Sequence, residues 1–312
     1  LYYYYFSDIL NMRFIVSTST LLKQLLAVNG ASSSSTVLPI LENFLFEIKD
    51  GTLTVSATDL QTSMTTSLAV ESKEDGKVAI PSKILLETLK TLPDQPISFS
   101  VDDKTFSIEI SAGDGKYKLS GENGEDFPKI PVVENGSSVA MPASVLAEAI
   151  NKTLFAVSSD ELRPAMTGVY CQLSPEHITF VATDAHKLVR YRRLDTKSES
   201  ATTFILPKKA LTLLKSSLPS DDVHVAIEYN NTSAFFKFGN INLICRLIDE
   251  RYPDYEAVIP KDNPNKLVID RSLFLNCLRR VVIFANKTTH QVRLKISGSE
   301  LNISSEDIDF AN

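Results

Sequence analysis

The chain has 312 residues, with 32 Lys and Arg against 38 Asp and Glu and a formal net charge of −6. That length suits two or three domains of about 100–150 residues, an apolar content of 43% excludes wholesale disorder, and no apolar run approaches the roughly 20 residues of a membrane-spanning helix. Three widely spaced cysteines (Cys171, Cys245, Cys277) exclude a disulfide scaffold or a CxxC site and suit a reducing cytoplasm, and the acidic balance leaves room for a nucleic-acid binder only if its basic charge is gathered on one surface.

Residues 1–11 include an aromatic run, Tyr2 to Phe6, without the charged start and cleavage site of a secretory signal. Met12 reads as the true start and 1–11 as an extension, either non-native or the result of a misplaced start. Phe14-Ile15-Val16 opens a short strand. A helix follows over 19–30, with Leu21, Leu22, Leu25 and Leu26 on one face and Ser19 or Thr20 as its cap. Strands are predicted at 43–48, 53–57, 64–70 and 77–80; Phe44, Phe46 and Ile48 alternate with their neighbours as a half-buried strand should. Pro81 stands just ahead of a helix over 82–92, where its missing N–H costs little. Strands resume at 97–101, 106–110 and 116–120. This is an α+β pattern of about two helices on a mostly antiparallel sheet.

The pattern then repeats. Ala57-Thr58-Asp59 recurs as Ala182-Thr183-Asp184, 125 residues on; Pro39 and Pro164, and Phe127-Pro128 and Tyr252-Pro253, share that offset, and Pro81 and Pro207 differ from it by one. Four anchors in one order at one offset mark tandem domains, since solenoid units run only about 20–50 residues. A third copy begins near Lys266, with Leu267-Val268-Ile269 set against Ser138-Val139-Ala140, and Leu301-Asn302-Ile303 followed by Asp307. Pro-bearing connectors place the domains at 12–135, 136–260 and 261–312. The third copy is incomplete, with one helix near 271–285 and two strands. Its apolar helix face (Phe274, Leu278, Val281, Val282) is expected to lack cover, and 304–312 to fray.

Five helices, at 19–30, 82–92, 143–157, 208–218 and 271–287, hold most of the interest in charge. Their basic residues are Lys23, Lys83, Lys90, Lys152, Lys208, Lys209, Lys215, Arg271, Arg279, Arg280 and Lys287; their acidic residues are Glu87 and Glu148 alone. Solvated helices usually mix both signs. One reading is chance drift in short helices. The other is a single positive surface on an acidic body, suited to a polyanion through phosphate contacts. In 208–218, Lys208, Thr212 and Lys215 lie opposite an apolar face of Leu211, Leu214 and Leu218. No aromatics interleave with these lysines, so backbone binding without base stacking or sequence preference is expected.

Catalytic motifs are missing: there is no phosphate-binding glycine loop, no GxSxG and no HExxH. His177, His186, His224 and His290 are isolated. Asp59, Asp184 and Asp307 read as turn or cap residues after a strand. No cofactor or metal is expected. Two rivals remain at this point: a multi-domain α+β hydrolase using the repeated aspartates, and a non-catalytic repeat scaffold.

Four segments together resemble one family closely. They are Leu38-Pro39-Ile40-Leu41-Glu42-Asn43, Val181-Ala182-Thr183-Asp184-Ala185-His186-Lys187-Leu188, Leu247-Ile248-Asp249-Glu250-Arg251-Tyr252-Pro253-Asp254-Tyr255, and Ala285-Asn286-Lys287 with Val292-Arg293-Leu294. The family is the bacterial replicative sliding clamp, the beta subunit of DNA polymerase III. The resemblance implies the DNA-clamp fold, three domains per subunit, and two subunits closed head-to-tail with helices lining the hole. It implies double-stranded DNA as a sequence-independent partner, and the replicative DNA polymerase and clamp loader as partners through linear peptide motifs. The clamp has no catalysis of its own and carries a polymerase (nucleotidyltransferase) label by association. Lys83, Lys208, Lys209 and Arg280 match basic positions of the family's hole; Lys23, Lys90, Lys152, Lys215 and Arg279 join them by charge and placement. Near Ser33, Ser34 and Ser35 some members of the family carry an arginine that touches DNA, where this chain has serine. Met166, Thr183, His186, Lys187, Leu188, Pro253 and Val258 map onto the family's peptide groove, with Ala257 where some relatives have arginine. The short third copy leads to the expectation that this chain does not close a ring.

Overall fold

The computed structural model describes residues 12–33, 38–133, 136–221 and 223–307. The extension at 1–11, Ser34 and Ser35, and most of the expected fraying segment (308–312) lie outside the described residues. The chain forms two compact units that divide between Pro253 and Asp254.

In the first unit the chain runs β1 (Arg13–Ser17), α1 (Thr18–Val28), β2 (Asn43–Lys49), β3 (Thr52–Thr58), β4 (Thr62–Ala69), β5 (Glu71–Ser72), β6 (Gly76–Pro81), α2 (Ser82–Thr91), β7 (Pro96–Val101), β8 (Ser107–Ala112), β9 (Gly115–Ser120) and β10 (Glu122–Asn123). The second copy of the pattern runs β11 (Ser137–Pro142), α3 (Ala143–Thr153), β12 (Gly168–Leu173), β13 (Ile178–Thr183), β14 (Leu188–Arg193), β15 (Thr202–Pro207), α4 (Lys208–Ser217), β16 (His224–Tyr229), β17 (Ser233–Phe238) and β18 (Ile241–Arg246). All the sheets are antiparallel. A five-stranded sheet has the order β5-β1-β7-β8-β9, and a four-stranded one β14-β13-β12-β15. A nine-stranded sheet, β10-β6-β2-β3-β4-β18-β17-β16-β11, runs through both copies. Its seam is β4 against β18, with Met64 opposite Leu243.

Packing follows the alternation read from the sequence. Phe14 and Phe99 stack at 4.6 Å from the five-stranded sheet and meet Phe46 of the nine-stranded sheet at 6.2–6.3 Å. All three are buried, each contributing about 1.5–3 kcal/mol. Helix α1 packs on α2, and α3 on α4. Leu45 departs from the alternation, because the outer face of β2 is also covered: Leu45 and Ala79 cluster with Ile40 and Phe127. The equivalent connector of the second copy does the same. Tyr252 stacks on Tyr170 at 4.6 Å, one repeat length from Phe127 and Leu45.

Several local expectations need correction. Ser17, two or three residues earlier than Ser19 or Thr20, caps α1 by accepting from the Thr20 N–H. Ser17 is the last strand residue, and its extended backbone (φ −70°, ψ 137°) aims the hydroxyl at the helix. Leu26 is 49% exposed, so the buried stripe of α1 is Leu21, Leu25 and Val28. Strand β8 starts at Ser107 because Phe106 takes a left-handed turn conformation (φ 54°). Helix α3 and the helix Arg271–Val281 end at Thr153 and Val281, each tightening into a short 3-10 turn, which puts Lys287 outside any helix. Burial pushes the Cys171 and Cys245 thiols up, Cys245 to about 12, so both are core residues.

The second unit holds α5 (Arg271–Val281), β19 (Arg293–Ser297) and β20 (Glu300–Ser304). Asp270 caps α5 by accepting from the Leu273 N–H. The segment Leu267-Val268-Ile269 is not a strand. Strand pairing needs a partner edge, and among the described residues β19 and β20 pair only with each other. No residue of α5 is buried; Phe274, Leu278 and Val281 are half-buried and Val282 is exposed. Among the described residues no helix is long and apolar enough to cross a membrane.

Candidate nucleic-acid and peptide interfaces

The basic helix residues are outward-facing. Lys23 on α1, Lys83 and Lys90 on α2, Lys152 on α3, and Lys208 and Lys215 on α4 are all exposed, while the same helices bury Leu21, Leu25, Leu85, Leu89, Leu146, Ile150, Leu211 and Leu214. The 3.6-residue period separates the two sets. Leu218, expected on the buried face of α4, is only half-buried just past the helix end, and Leu213 takes its place. Among the described residues these six lysines make no ion pair, so their charge is presented to solvent. Lys90, Lys152 and Lys215 also sit in the last turns of their helices, where a cation is favoured. Lys209 is different. It is half-buried, and its Nζ lies 2.6 Å from Asp59 Oδ2 of the preceding copy. In the second unit Arg279 and Arg280 are exposed, and Arg280 turns back to donate to the Asn276 carbonyl of its own helix.

Hydrogen bonds join the two copies beside the seam. Asn240 Nδ2 donates to Gln24 Oε1 of α1 (2.9 Å) and to the Ser67 carbonyl (3.0 Å), and Thr66 Oγ1 donates to the same Gln24 oxygen (2.5 Å). Helices of the two copies are thereby fixed on one continuous sheet.

The repeated aspartates are turn residues. Asp59 Oδ1 accepts the N–H groups of Gln61 and Thr62 at 2.9 and 2.6 Å. Asp184 Oδ1 accepts those of His186 and Lys187 at 3.0 and 2.9 Å. Leu60 and Ala185, one repeat apart, share the left-handed backbone (φ 74° and 72°) that the turn requires. The Lys187 ammonium bonds the second Asp184 oxygen and, with the Lys187 N–H, holds that carboxyl well below the usual carboxylate range. Asp307 accepts from Asn286 Nδ2 at 3.0 Å. Carboxylates engaged this way are scaffolding for loops, which removes the basis of the hydrolase reading.

Around the second turn, the sheet gathers most of the expected peptide-groove residues. Thr183, buried, pairs with Leu188, half-buried, at the β13–β14 end. Thr183 Oγ1 donates to the Lys187 carbonyl and accepts from the Ala185 N–H, which fixes the turn from inside. His186 and Lys187 are exposed on its tip. Met166 lies in the 3-10 turn Pro164–Thr167 that leads directly into β12, the other neighbour of β13. The Tyr252 hydroxyl reaches the Val181 carbonyl (3.5 Å), which brings Pro253 to the same sheet. Val258 belongs to the second unit, on the turn Tyr255–Val258, and is 68% exposed. A cleft of about 400 Å³ lined by Ser158, Glu161, Pro164, Thr167 and Lys208 flanks the Met166 turn. Sequence reasoning missed it, because residues 158–167 carry no periodic signal.

With this geometry in hand, known proteins offer a comparison. Family models described as the N-terminal, central and C-terminal domains of the DNA polymerase III beta subunit match residues 12–131, 140–254 and 256–312. The beta sliding clamp of Synechococcus elongatus is 28% identical over 291 residues, which is 91% of this chain and 77% of that protein. That of Bacillus subtilis is 27% identical over 290 residues, 90% of this chain and 76% of the relative. Among solved structures, the Bacillus subtilis DNA polymerase sliding clamp superposes with a TM-score of 0.91 at 26% identity, covering 96% of this chain and 81% of that one. A Bartonella birtlesii sliding clamp bound to griselimycin superposes at 0.89 and 29% identity, covering 96% and 82%. The fold is the clamp fold of these proteins.

Proposed function

This chain belongs to the DNA polymerase III beta subunit family and is a DNA sliding clamp without catalysis of its own, and from that premise we propose how its residues hold DNA and partners. Lys23, Lys83, Lys90, Lys152, Lys208 and Lys215, with Arg279 and Arg280, contact the phosphates of double-stranded DNA. The supporting observation is that six exposed lysines on four helices carry no acidic partner among the described residues, on a chain of net charge −6. Point charges on flexible stems bind backbone and carry no base information. The domains that carry them are 12–135, 136–260 and 261–312. DNA and the polymerase are partners through the family; the finer reading is that the protein closes as a homodimer when full length, and that the apolar set Met166, Leu188 and Pro253 beside Thr183, His186 and Lys187 of the first unit takes linear peptides of the polymerase and clamp loader. An apolar pocket with a few polar groups is the form such peptide sites take. Function inside the cytoplasm follows from that work on DNA.

The test is the salt dependence of duplex binding. Removing Lys208 and Lys215 together should reduce the slope of log K against log salt by about 1.8, at about 0.9 per phosphate contact. An unchanged slope would remove these residues from the DNA interface.

A further inference from the structure

We propose that Asp59 holds Lys209 as a strut between the first two copies and keeps its charge out of the phosphate-binding set. The inference rests on the DNA reading above and separates one residue from the set that resemblance assigned to it.

Three observations carry it. First, Asp59 is preorganised. Its Oδ1 is tied to two backbone N–H groups, so the turn itself points Oδ2 at Lys209. Holding the carboxylate costs no further ordering when the lysine arrives. Second, the pair is sheltered compared with the other helix lysines: the Asp59 side chain is 17% exposed and Lys209 41%. Charge-assisted bonds at such sites are stronger than those in open solvent. Third, the second copy shows what the turn needs. Asp184 makes the same two backbone bonds through Oδ1, and its second oxygen is satisfied by Lys187 within the same turn. In the first copy the equivalent position is Thr62, one repeat before Lys187. The cation missing from that turn is supplied instead by α4 of the following copy.

The consequence concerns both shape and charge. Lys209 lies on the first turn of α4, next to the exposed Lys208. Together with the β4–β18 seam and the Gln24–Asn240 bonds, it fixes α4 against the first copy. Lys208 is left to face solvent, and a phosphate approaching α4 would have to displace a carboxylate to reach Lys209.

Two measurements on the full chain test this. In duplex-binding titrations against salt, Lys208→Ala should lower the slope by about 0.9 and Lys209→Ala should leave it unchanged. Asp59→Asn keeps the amide oxygen for the Gln61 and Thr62 N–H groups, frees Lys209, and should raise the slope by about 0.9. A Lys209→Ala loss equal to that of Lys208→Ala would overturn the proposal. In thermal unfolding, the double variant Asp59→Asn/Lys209→Ala should lose no more than the worse single variant, as a shared interaction requires. Additive losses would overturn the strut. A Lys208→Ala slope equal to wild type with a non-additive unfolding cycle would instead refute the DNA reading and leave the strut standing.

Discussion

Leu243 sits at the centre of the β4–β18 seam, opposite Met64, and both side chains are fully buried. Leu243→Ala removes a buried side chain from a site walled by sheet on either side, where collapse is limited. Such truncations cost about 2–5 kcal/mol. Because the sheet is continuous, the cost should fall on both copies. At about 3 kcal/mol, opening becomes roughly 150-fold more frequent. Amide hydrogen exchange followed residue by residue is the assay. Protection should fall together in β18 (Ile241–Arg246) and β4 (Thr62–Ala69), and by a similar factor. If β18 loosened while β4 kept its protection, the two copies would be independent bodies touching at an edge. The positioning of α1 and α4 on one sheet would then be wrong.

Three further outcomes follow from the turns and the groove. Ala185→Gly relieves a left-handed alanine (φ 72°) and should stabilise the chain by about 0.5–1 kcal/mol in urea titration, and a loss of stability would contradict the strain. Leu188→Ala should weaken polymerase-derived peptides by about 1–3 kcal/mol with the melting transition nearly unchanged; undiminished titration curves would move the groove elsewhere. The depressed carboxyl of Asp184 contributes stability that is present above its ordinary value of 3.8 and is lost only as pH falls through the lower folded value. Its carboxyl resonance should therefore stay flat down to about pH 3, and a midpoint near 4 would show that Lys187 does not hold it in solution.

Much of the fold was legible because its signals are local and periodic. The alternation of Phe44, Phe46 and Ile48 and the spacing of Leu21 and Leu25 need no tertiary information. The repeat at one offset doubled each signal, since Asp59 and Asp184 do the same job in two turns. What escaped depends on contacts far along the chain. Leu45 is buried because Phe127 folds back over it, and nothing near residue 45 announces that. Leu26 belongs to the apolar stripe by spacing, yet among the described residues it stays half exposed. Lys209 is indistinguishable from Lys208 in sequence; only the partner 150 positions away separates them. The exposed lysines were readable as a set because opposite charges are missing nearby. The flanking cleft was not, because irregular segments write no pattern.

The most direct measurement of the central claim is duplex binding by the whole chain on two fragments of equal length and unrelated sequence, across a range of salt. Backbone contact through unpaired helix lysines predicts one straight line for both, falling with salt by about 0.9 per phosphate neutralised. A difference of tenfold or more between the two sequences, or affinity that does not fall with salt, would contradict it.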